Sequence, residues 1–383
     1  MLNRIVIIGT GLAGYMLAKE LRKRGNTASL TLITQGDGYF YSKPLLSTAL
    51  TNQKTPDQLC INTVAEMRQQ LNADIIVRAT VFNIDAKEKK IFIRCGDDSE
   101  KEIQYDQLVL ANGADHHMVS LAGDAASSVL SVNDLEEYRV FHGKIAHQKN
   151  IVIIGAGLVG CEFANDLVNA NYTVSMVALD HYLLSAFVPA EIGIALEEAF
   201  STAGIVFHRS KTVQSINHNN HRYTVTLSDN AIIETDLVFS AVGIRPDVSL
   251  ATLAGVEINR GIQTNAMMQT SDPHIYALGD CAEVMGELKM YVAPILNQAR
   301  VLSAVLCGEH TPLISSVMPI VIKTPLCPVV VVPPPKNCVG EWKTTGDHLA
   351  IKSLYYDGHN QLRGFALSGD CVKEKTQWMK CIK

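Results

Sequence analysis

Two glycine-rich stretches of the chain have the residue types and the spacing that bind a dinucleotide. Each follows a short apolar run and has the pattern Gly-x-Gly-x-x-Gly. The glycines are Gly9, Gly11 and Gly14 in the first stretch and Gly155, Gly157 and Gly160 in the second. The first glycine allows a tight turn, the second lets the backbone approach a pyrophosphate, and the third lets a helix pack closely. The pyrophosphate then lies at the positive end of that helix, so the chemistry predicted is binding of nucleotide cofactors.

The duplication decides between a cofactor site and a structural turn. A single match is also typical of a turn in any doubly wound fold, but two matches in the same context favour two dinucleotides. We predict FAD and a nicotinamide cofactor. The acidic residue that usually binds a ribose about 20 residues further on is missing from both copies. No arginine suited to a 2′-phosphate follows the second copy, which favours NADH over NADPH.

The elements that must position these glycines are read from apolar periodicity. In both copies a strand-like run precedes the glycines, a helix-like pattern follows, and a second β-rich run comes next, at Leu30–Thr34 and at Thr173–Leu179. Such alternation predicts parallel sheets covered by helices. The last part of the chain is proline-punctuated and extended, with a hairpin turn expected at Asp357 and Gly358. The predicted fold class is α/β, with two Rossmann-like dinucleotide-binding domains and a small β-rich α+β C-terminal domain.

Bulk composition excludes several function classes. The 383 residues carry a net charge of −5, which argues against nucleic acid as a partner. We find no apolar run of membrane-spanning length and no signal peptide, so we expect no membrane insertion and a cytoplasmic protein. The nine cysteines are scattered and lack the spacing of metal ligands, so no metal site is predicted. We expect a monomer or a weak dimer.

Several later motifs lie at Tyr39–Ser47, Leu108–Gly113, Val238–Pro246 and Ile275–Glu283. They resemble motifs of FAD-dependent pyridine nucleotide reductases, and the resemblance extends from about residue 4 to the end of the chain. Asn112 stands where threonine is usual in that family, and Lys43 stands where arginine is usual.

The redox-active cysteine pair of the family's disulfide reductases is absent. Ser42, Ser47 and Thr48 occupy that neighbourhood instead. The flavin is therefore expected to be the last redox station inside the protein.

Within the family, the motifs around Tyr41–Thr48, Val159–Leu167, Ile275–Val284 and Ile322–Pro335 are similar to those of rubredoxin reductases. This resemblance implies that NADH reduces FAD and that electrons pass singly to rubredoxin, often in the service of alkane hydroxylation. The alternatives are a reductase for a ferredoxin or a flavo-diiron protein, an oxidase that uses oxygen or peroxide, and a non-catalytic redox sensor. The implied domains are FAD-binding at 1–114 and 244–310, NAD-binding at 115–243, and acceptor-docking at 311–383.

The resemblance also implies roles for single residues around the FAD. The residues implied to line its pyrophosphate are Thr10, Gly11, Leu12 and Ala13. Thr34 should contact its ribose, and Val81 should contact its adenine. Asp280 should hydrogen-bond its ribityl chain, and Val292 should contact its ring.

Three charged residues are implied to act at the reacting groups. Lys43 and Lys323 should approach the flavin, and Glu162, at the start of the second helix, should lie near both flavin and nicotinamide. As alternatives, Lys43 is a solvated loop charge and Glu162 is only a first-turn carboxylate favoured by the helix dipole. Lys323 lies among apolar residues, so its ammonium needs a partner, for which the reduced flavin ring is the candidate.

The C-terminal part of the chain is basic. From residue 310 onward it has nine basic and five acidic side chains, a net charge of +4. Rubredoxins are acidic, and complementary charge raises the rate of encounter. The segment is therefore expected to form part of the docking face, with an ordinary solvated surface as the alternative.

Overall fold

A computed structural model describes residues 3–314 and 316–382 of the chain. The helices are α1 (Leu12–Lys23), α2 (Val64–Leu71), α3 (Leu135–Ile145), α4 (Leu158–Asn169), α5 (Ala190–Thr202), α6 (Ser249–Ala254), α7 (Val292–Leu306) and α8 (Lys375–Cys381). The strands are β1 (Arg4–Ile8), β2 (Ser29–Ile33), β3 (Phe40–Tyr41), β4 (Cys60–Asn62), β5 (Asp74–Ile76), β6 (Ala79–Asp85), β7 (Lys90–Cys95), β8 (Glu100–Gln104), β9 (Gln107–Leu110), β10 (Ala114–His116), β11 (Asn150–Ile154), β12 (Thr173–Ala178), β13 (Val206–Arg209), β14 (Val213–Asn219), β15 (Arg222–Leu227), β16 (Ile232–Thr235), β17 (Leu237–Ser240), β18 (Ile244–Pro246), β19 (Ile262–Thr264), β20 (Ile275–Ala277), β21 (Ala282–Val284), β22 (Ile320–Ile322), β23 (Val329–Val332), β24 (Gly340–Asp347), β25 (Ala350–Asp357) and β26 (Leu362–Ser368).

The first of two compact units comprises Met1–Lys43, Gln58–Asp115 and Ile244–Ser316. Its main sheet is parallel, with the strand order β20-β9-β1-β2-β5. The strands β6, β7 and β8 form a separate antiparallel sheet. Because β2 and β9 lie on opposite sides of β1, the strand order reverses there, and doubly wound sheets bind ligands at such a point.

The second unit comprises Pro44–Asp57, His116–Gly243 and Val317–Lys383. Its parallel sheet has the order β13-β12-β11-β17, which repeats the order β5-β2-β1-β9 of the first unit. The strands β14, β15 and β16 again form an antiparallel sheet. The predicted duplication of a strand–helix–strand arrangement is therefore confirmed at the level of strand order.

Continuous burial explains the apolar runs within the two central strands. From their second residue onward, β1 and β11 are buried at every position, as expected for strands covered on both faces. Full burial of one isoleucine or leucine side chain stabilises the fold by roughly 1.5–3 kcal/mol. In the first unit, buried residues of α1 and α7 such as Leu17 and Leu302 belong to the same core as β1. This packing fixes the position of the glycine turn between β1 and α1.

The C-terminal segment folds as an antiparallel sheet with the order β22-β23-β26-β25-β24. Its core includes Phe365 and Leu367, and Trp378 of α8 packs against it. The predicted hairpin turn is present between β25 and β26, where the backbone N–H of Asn360 donates to the carbonyl oxygen of Asp357. The predicted β-rich C-terminal fold and the predicted α/β class are both confirmed. In the part of the chain that the structure describes, we find no helix with the length and apolarity needed to cross a membrane.

Candidate active site

The carboxyl ends of the parallel strands in the first unit bring several predicted residues to one edge of the sheet. Gly9 follows β1, Thr34 follows β2, and Asp280 lies three residues after β20. The backbone N–H of Leu278 donates to the carbonyl oxygen of Leu110 at the end of β9, which fixes the loop that carries Asp280. Residues distant in sequence therefore meet where such sheets bind nucleotides.

The glycines of the first copy fulfil the three mechanical roles that the pattern predicts. Gly9 has a φ of +116°, and a Cβ atom there would lie 2.1 Å from the carbonyl oxygen of Ala111. A Cβ atom on Gly14 would lie 2.0 Å from the carbonyl oxygen of Gly9. A Cβ atom on Gly11 would meet no described atom within 4 Å. The first and third glycines are therefore required by the fold, whereas the second faces open space in which a phosphate can approach the backbone.

The second copy repeats this geometry in its own unit. Gly155 has a φ of +114°, and its Cβ atom would lie 2.5 Å from the carbonyl oxygen of Ala241. On Gly160 it would lie 2.3 Å from the carbonyl oxygen of Gly155, and on Gly157 it would meet no described atom within 4 Å. Both loops are therefore shaped for a pyrophosphate at the N-terminus of a helix.

Asp280 is a buried carboxylate with unused hydrogen-bonding capacity. Its Oδ2 atom lies 3.8 Å from the Nζ atom of Lys43, whereas its Oδ1 atom is buried and accepts no hydrogen bond from the residues that the structure describes. Burial raises the pKa of this carboxyl, and the Lys43 ammonium offsets part of the rise. A buried polar atom without a partner is costly, so the oxygen calls for a donor such as a ligand hydroxyl.

A second unsatisfied acceptor lies near the same edge of the sheet. Asn112 donates from Nδ2 to the carbonyl oxygen of Asp247 and to its carboxylate, at 2.9 and 2.7 Å. Its own Oδ1 atom is buried and has no partner among the described residues. Together with the open space at Gly11, these two acceptors fit a dinucleotide that carries hydroxyl groups, as FAD does in its ribityl chain.

The other residues predicted to contact FAD lie in the first unit as well. Thr10, Ala13 and Val81 are buried, and Leu12 is half-buried at the start of α1. Val292 is the first residue of α7 and is 37% exposed. Backbone N–H groups in the first turn of a helix have no partner within the helix, so that of Val292 can serve a ligand.

In the second unit, Glu162 and Lys323 form an ion pair. The Nζ atom of Lys323 lies 2.5 Å from Oε2 of Glu162, 2.8 Å from Oγ of Ser47 and 2.8 Å from the carbonyl oxygen of Pro44. Ser47 also donates to Oε2 at 2.7 Å, and the backbone N–H of Lys323 donates to Oε1 at 3.1 Å. Both oxygens of Glu162 are therefore satisfied within the protein.

This geometry bears on two expectations from the sequence. Lys323 has a partner, as its apolar surroundings require, and that partner is Glu162, whereas its approach to the flavin stays a prediction. Glu162 is not a first-turn carboxylate, because α4 begins at Leu158 and no acidic residue lies in its first turn. The alternative that Glu162 serves only the helix dipole is therefore wrong.

Sequence reasoning missed the polar face to which Glu162 belongs. Asn165 and Asp166 are also buried on α4, and the spacing i, i+3, i+4 puts all three on one face. The Oδ1 atom of Asn165 accepts from the backbone N–H of Leu326, and Asp166 accepts from two backbone N–H groups of the segment 44–57. Three polar residues at helical spacing inside an apolar pattern are a signal that could have identified this face.

The cysteines give no support to a thiol-based reaction. None of the nine forms a disulfide among the described residues, and Cys281, Cys161 and Cys327 are buried. Burial raises the pKa of the Cys281 thiol to about 12 and also raises the pKa of Cys161 and Cys327. Reactive cysteines need a thiolate at neutral pH, so these thiols are suited to packing.

Ion pairs neutralise much of the positive charge in the C-terminal segment. Lys343, Lys352, Arg363 and Lys373 each pair with a carboxylate of the same segment. Among the described residues of this segment, the lysines without an ion pair are Lys336, Lys375 and Lys380. The charge available to an acidic partner is therefore concentrated in the loop before β24 and on α8.

Comparison with known proteins agrees with both parts of this architecture. Residues 3–300 match the family described as pyridine nucleotide-disulphide oxidoreductase, and residues 313–382 match the rubredoxin binding C-terminal domain. The chain is 40% identical over 380 residues to a rubredoxin-NAD(+) reductase of Alcanivorax borkumensis, which covers 99% of this chain and 98% of that protein. It is 33% identical over 369 residues to a nitric oxide reductase FlRd-NAD(+) reductase of Aliivibrio fischeri, covering 96% of each chain.

A solved structure has the same fold over nearly the whole chain. It is the ferredoxin reductase for the CYP199A2 system from Rhodopseudomonas palustris, with a TM-score of 0.87 and 27% identity, covering 97% of this chain and 93% of that one. On its sequence, its duplicated glycine loops and these similarities, the chain belongs to the pyridine nucleotide-disulphide oxidoreductase family.

Proposed function

We propose that this protein is an NADH-dependent flavoprotein reductase that delivers electrons from NADH, through FAD, one at a time to rubredoxin. The observation that carries the proposal is similarity over nearly the full length, including the C-terminal domain, to a reductase named for rubredoxin. When bound, FAD supplies two-electron acceptance from NADH and one-electron release. The protein's own residues bind, orient and insulate the cofactors.

Residues of the first unit are suited to hold FAD. The turn at Thr10 and Gly11 and the first turn of α1, with Leu12 and Ala13, offer backbone N–H groups to its pyrophosphate. Asp280 offers an acceptor to a ribityl hydroxyl. Thr34, Val81 and Val292 keep the roles toward ribose, adenine and ring that the resemblance implies, as predictions.

Residues of the second unit are suited to hold NADH. The loop at Gly155, Gly157 and Gly160 leads into α4, and Glu162 lies on the same helix. At 1.5 Å of rise per residue, Glu162 is within roughly 8 Å of Gly157 along the helix axis. We propose that the Glu162–Lys323 pair acts at the reacting ring, with Lys43 approaching the flavin as a further positive charge.

The C-terminal domain is the part that we propose for acceptor docking. Lys336, Lys375 and Lys380 can attract an acidic carrier over the range of a Debye length, about 8–10 Å at physiological salt. A contact between electron-transfer partners is small and transient, so the rate of reduction should fall as salt rises. A cytoplasmic location, a monomeric or weakly dimeric state and a supply of electrons to alkane hydroxylation remain predictions.

A second candidate acceptor is a flavo-diiron protein. It is favoured by the 33% identity to a reductase named for nitric oxide reductase FlRd, although this identity is lower than the 40% to the reductase named for rubredoxin. The two acceptors carry their iron in different proteins. Turnover measured with each purified acceptor therefore separates the two candidates.

Turnover with three purified acceptors tests the proposal. Rubredoxin, a ferredoxin and a flavo-diiron protein are each reduced by the FAD-loaded protein under anaerobic conditions, with NADH and with NADPH. We expect rubredoxin and NADH to give the highest kcat/KM by about tenfold or more, a difference of about 1.4 kcal/mol in transition-state free energy. If the ferredoxin is reduced at the same rate as rubredoxin, rubredoxin is rejected as the specific acceptor. Vigorous NADH consumption in aerated buffer without any carrier would favour an oxidase, and negligible turnover would favour a sensor.

A further inference from the structure

The segment of residues 44–51 is held to α4 at two points. Near its start, the hydroxyl of Ser47 donates to Glu162. At its end, the backbone N–H groups of Leu50 and Thr51 donate to the carboxylate of Asp166, at 3.0 and 2.7 Å. Glu162 and Asp166 are four residues apart, so the hydrogen bonds at both points are accepted by side chains on the same face of the helix.

The same segment supplies two of the three partners of the Lys323 ammonium. These are the carbonyl oxygen of Pro44 and the hydroxyl of Ser47, and the third is Glu162. Among the described residues, the hydrogen bond from the segment to Glu162 comes from the Ser47 side chain and not from the backbone. Asp166 supplies the two backbone contacts that set where the segment ends, and therefore where Ser47 lies.

Asp166 has properties that suit a fixed anchor. It is 2% exposed, and it accepts from the backbone N–H groups of Leu50 and Thr51 and also from the Thr51 side chain. Hydrogen bonds to an ionised group are stronger than bonds between neutral groups. Without the carboxylate, two N–H groups in a part-buried site lose their acceptors, and the segment can shift away from α4.

We propose that Asp166 is a positioning residue for hydride transfer, which acts by fixing Ser47 and Pro44 against Lys323 and so sets the geometry of the Glu162–Lys323 pair. This inference rests on the proposed function, since it places that pair at the reacting ring. Asp166 makes no hydrogen bond to Glu162 or Lys323 among the described residues, although its charge also attracts the Lys323 ammonium. The proposed positioning effect passes through the segment, in addition to this charge interaction.

A matched control exists in the same unit. Asp236 accepts at Oδ2 from the backbone N–H groups of Lys149 and Asn150, at 3.0 and 2.8 Å, and its Oδ1 atom pairs with Arg222. It lies just before β17, at the amino edge of the sheet, whereas the glycine turn after β11 lies at the carboxyl edge. Asp236→Asn therefore removes a carboxylate that anchors backbone N–H groups away from the Glu162–Lys323 pair.

The first readout does not need a loaded enzyme. Amide hydrogen exchange is compared among the wild type, Asp166→Asn and Asp236→Asn. In Asp166→Asn we expect faster exchange in residues 44–51 and at residue 323, because an amide side chain can accept from only one of the two N–H groups. In Asp236→Asn we expect faster exchange near residues 149 and 150 alone. Unchanged exchange at residue 323 in Asp166→Asn would overturn the inference.

The second readout is the rate of flavin reduction in single-turnover mixing with saturating NADH. We expect Asp166→Asn to slow hydride transfer by about tenfold, with the Kd for NADH unchanged within about twofold, because misplacement of reacting groups costs rate and not binding. Asp236→Asn should change both by less than about twofold. Ser47→Ala combined with Asp166→Asn should slow the reaction little more than Asp166→Asn alone, since both act through one segment.

The outcomes separate this inference from the proposed function. If NADH fails to reduce the flavin of the wild type, the proposed function is rejected. If the wild type is reduced and Asp166→Asn behaves like Asp236→Asn, or if the effects of Ser47→Ala and Asp166→Asn multiply, Asp166 is merely structural.

Discussion

The two units share the order of their central strands and the geometry of their glycine turns. They differ in how completely the protein satisfies the hydrogen-bonding capacity of a buried carboxylate. In the first unit, one oxygen of Asp280 has no partner among the described residues, and the nearest ammonium is 3.8 Å away. In the second unit, both oxygens of Glu162 accept hydrogen bonds, and Lys323 lies at 2.5 Å. The same scaffold therefore presents an incomplete site that a ligand can complete and a site that is already organised.

The difference fits two kinds of task. A cofactor that stays bound can supply the missing hydrogen-bond donor itself, so the first unit can tolerate an unsatisfied acceptor. A site that meets a new nucleotide in every cycle gains from groups that are preorganised before the nucleotide arrives. We expect the first unit to gain more stability from its nucleotide than the second, since binding to the native state alone shifts the folding equilibrium.

The largest effects should come from the first glycine of each turn, where the two units are alike. Gly9→Ala and Gly155→Ala each place a Cβ within 2.5 Å of a backbone oxygen at a positive φ. We expect each to lower the free energy of unfolding by more than about 4 kcal/mol, because backbone must move. Denaturant unfolding checks this.

The control is Gly143→Ala in α3, where a Cβ atom meets no described atom within 4 Å. It should stabilise the protein by about 0.5–1 kcal/mol. Near-wild-type stability of Gly9→Ala would show that the turn is not as tight as the geometry requires.

Breaking the ion pair should have the next largest effect and should be confined to the second unit. Lys323→Met leaves a carboxylate that is 11% exposed without its cation. We expect a loss of about 2 kcal/mol, less than for a fully buried pair because the lysine is 30% exposed. Adding Glu162→Gln should recover part of the loss. A double variant that is less stable than the sum of the single changes would contradict an attractive pair.

The second glycine of each turn should separate the two nucleotides. A Cβ atom on Gly11 or on Gly157 meets no described atom, so neither alanine variant should unfold the protein. Gly11→Ala should weaken FAD binding by about tenfold and leave NADH binding unchanged, because the methyl group keeps a phosphate from the backbone. Gly157→Ala should do the reverse. Equilibrium binding of each nucleotide gives the answer, and equal loss of both in either variant would refute the assignment of one nucleotide to each unit.

Asp280→Asn should stabilise the FAD-free protein, which tests the unsatisfied carboxylate directly. The folded pKa of Asp280 is raised by burial, so ionisation destabilises the fold as pH rises above the unfolded value of about 3.9. Asparagine cannot ionise, so its advantage should be absent at acid pH and reach about 1 kcal/mol at neutral pH. Thermal unfolding against pH measures this.

Asp236→Asn again provides the contrast. Burial raises the pKa of Asp236, but its hydrogen bonds to Asn150, Lys149 and Arg222 outweigh burial and lower the pKa below its ordinary value. That carboxylate contributes stability above the unfolded value of about 3.9, and its replacement should destabilise the protein at neutral pH. The same sign for both variants would be inconsistent with the two environments.

The smallest effect should come from the lysines without ion pairs in the C-terminal domain. Lys336→Glu combined with Lys380→Glu should raise the KM for rubredoxin about threefold to tenfold at low salt and by less at high salt. Lys373→Glu changes an exposed lysine that is already paired with Asp370, so its effect should be smaller. Reduction of ferricyanide, which needs no docking, should be unchanged in all of them.

Local patterns in the sequence predicted much of the fold and the nucleotide-binding turns. The runs at β1 and β11, the glycine spacing and the hairpin after β25 all depend on neighbours in the chain, so their types and order were correct. For the ion pair, the sequence predicted only that the Lys323 ammonium needs a partner. It did not identify Glu162, because the two residues lie 161 positions apart. Ser47 and Asp166 were missed for the same reason, since their partners lie 115 or 116 residues away.

Anaerobic two-stage mixing tests the account most directly. The purified FAD-loaded protein is first mixed with NADH, and flavin bleaching is followed. It is then mixed with oxidised rubredoxin. We predict rapid bleaching by NADH, slow bleaching by NADPH, and reoxidation by roughly two rubredoxin molecules per flavin. A protein that binds no FAD, or a reduced flavin that rubredoxin leaves reduced, would contradict the account.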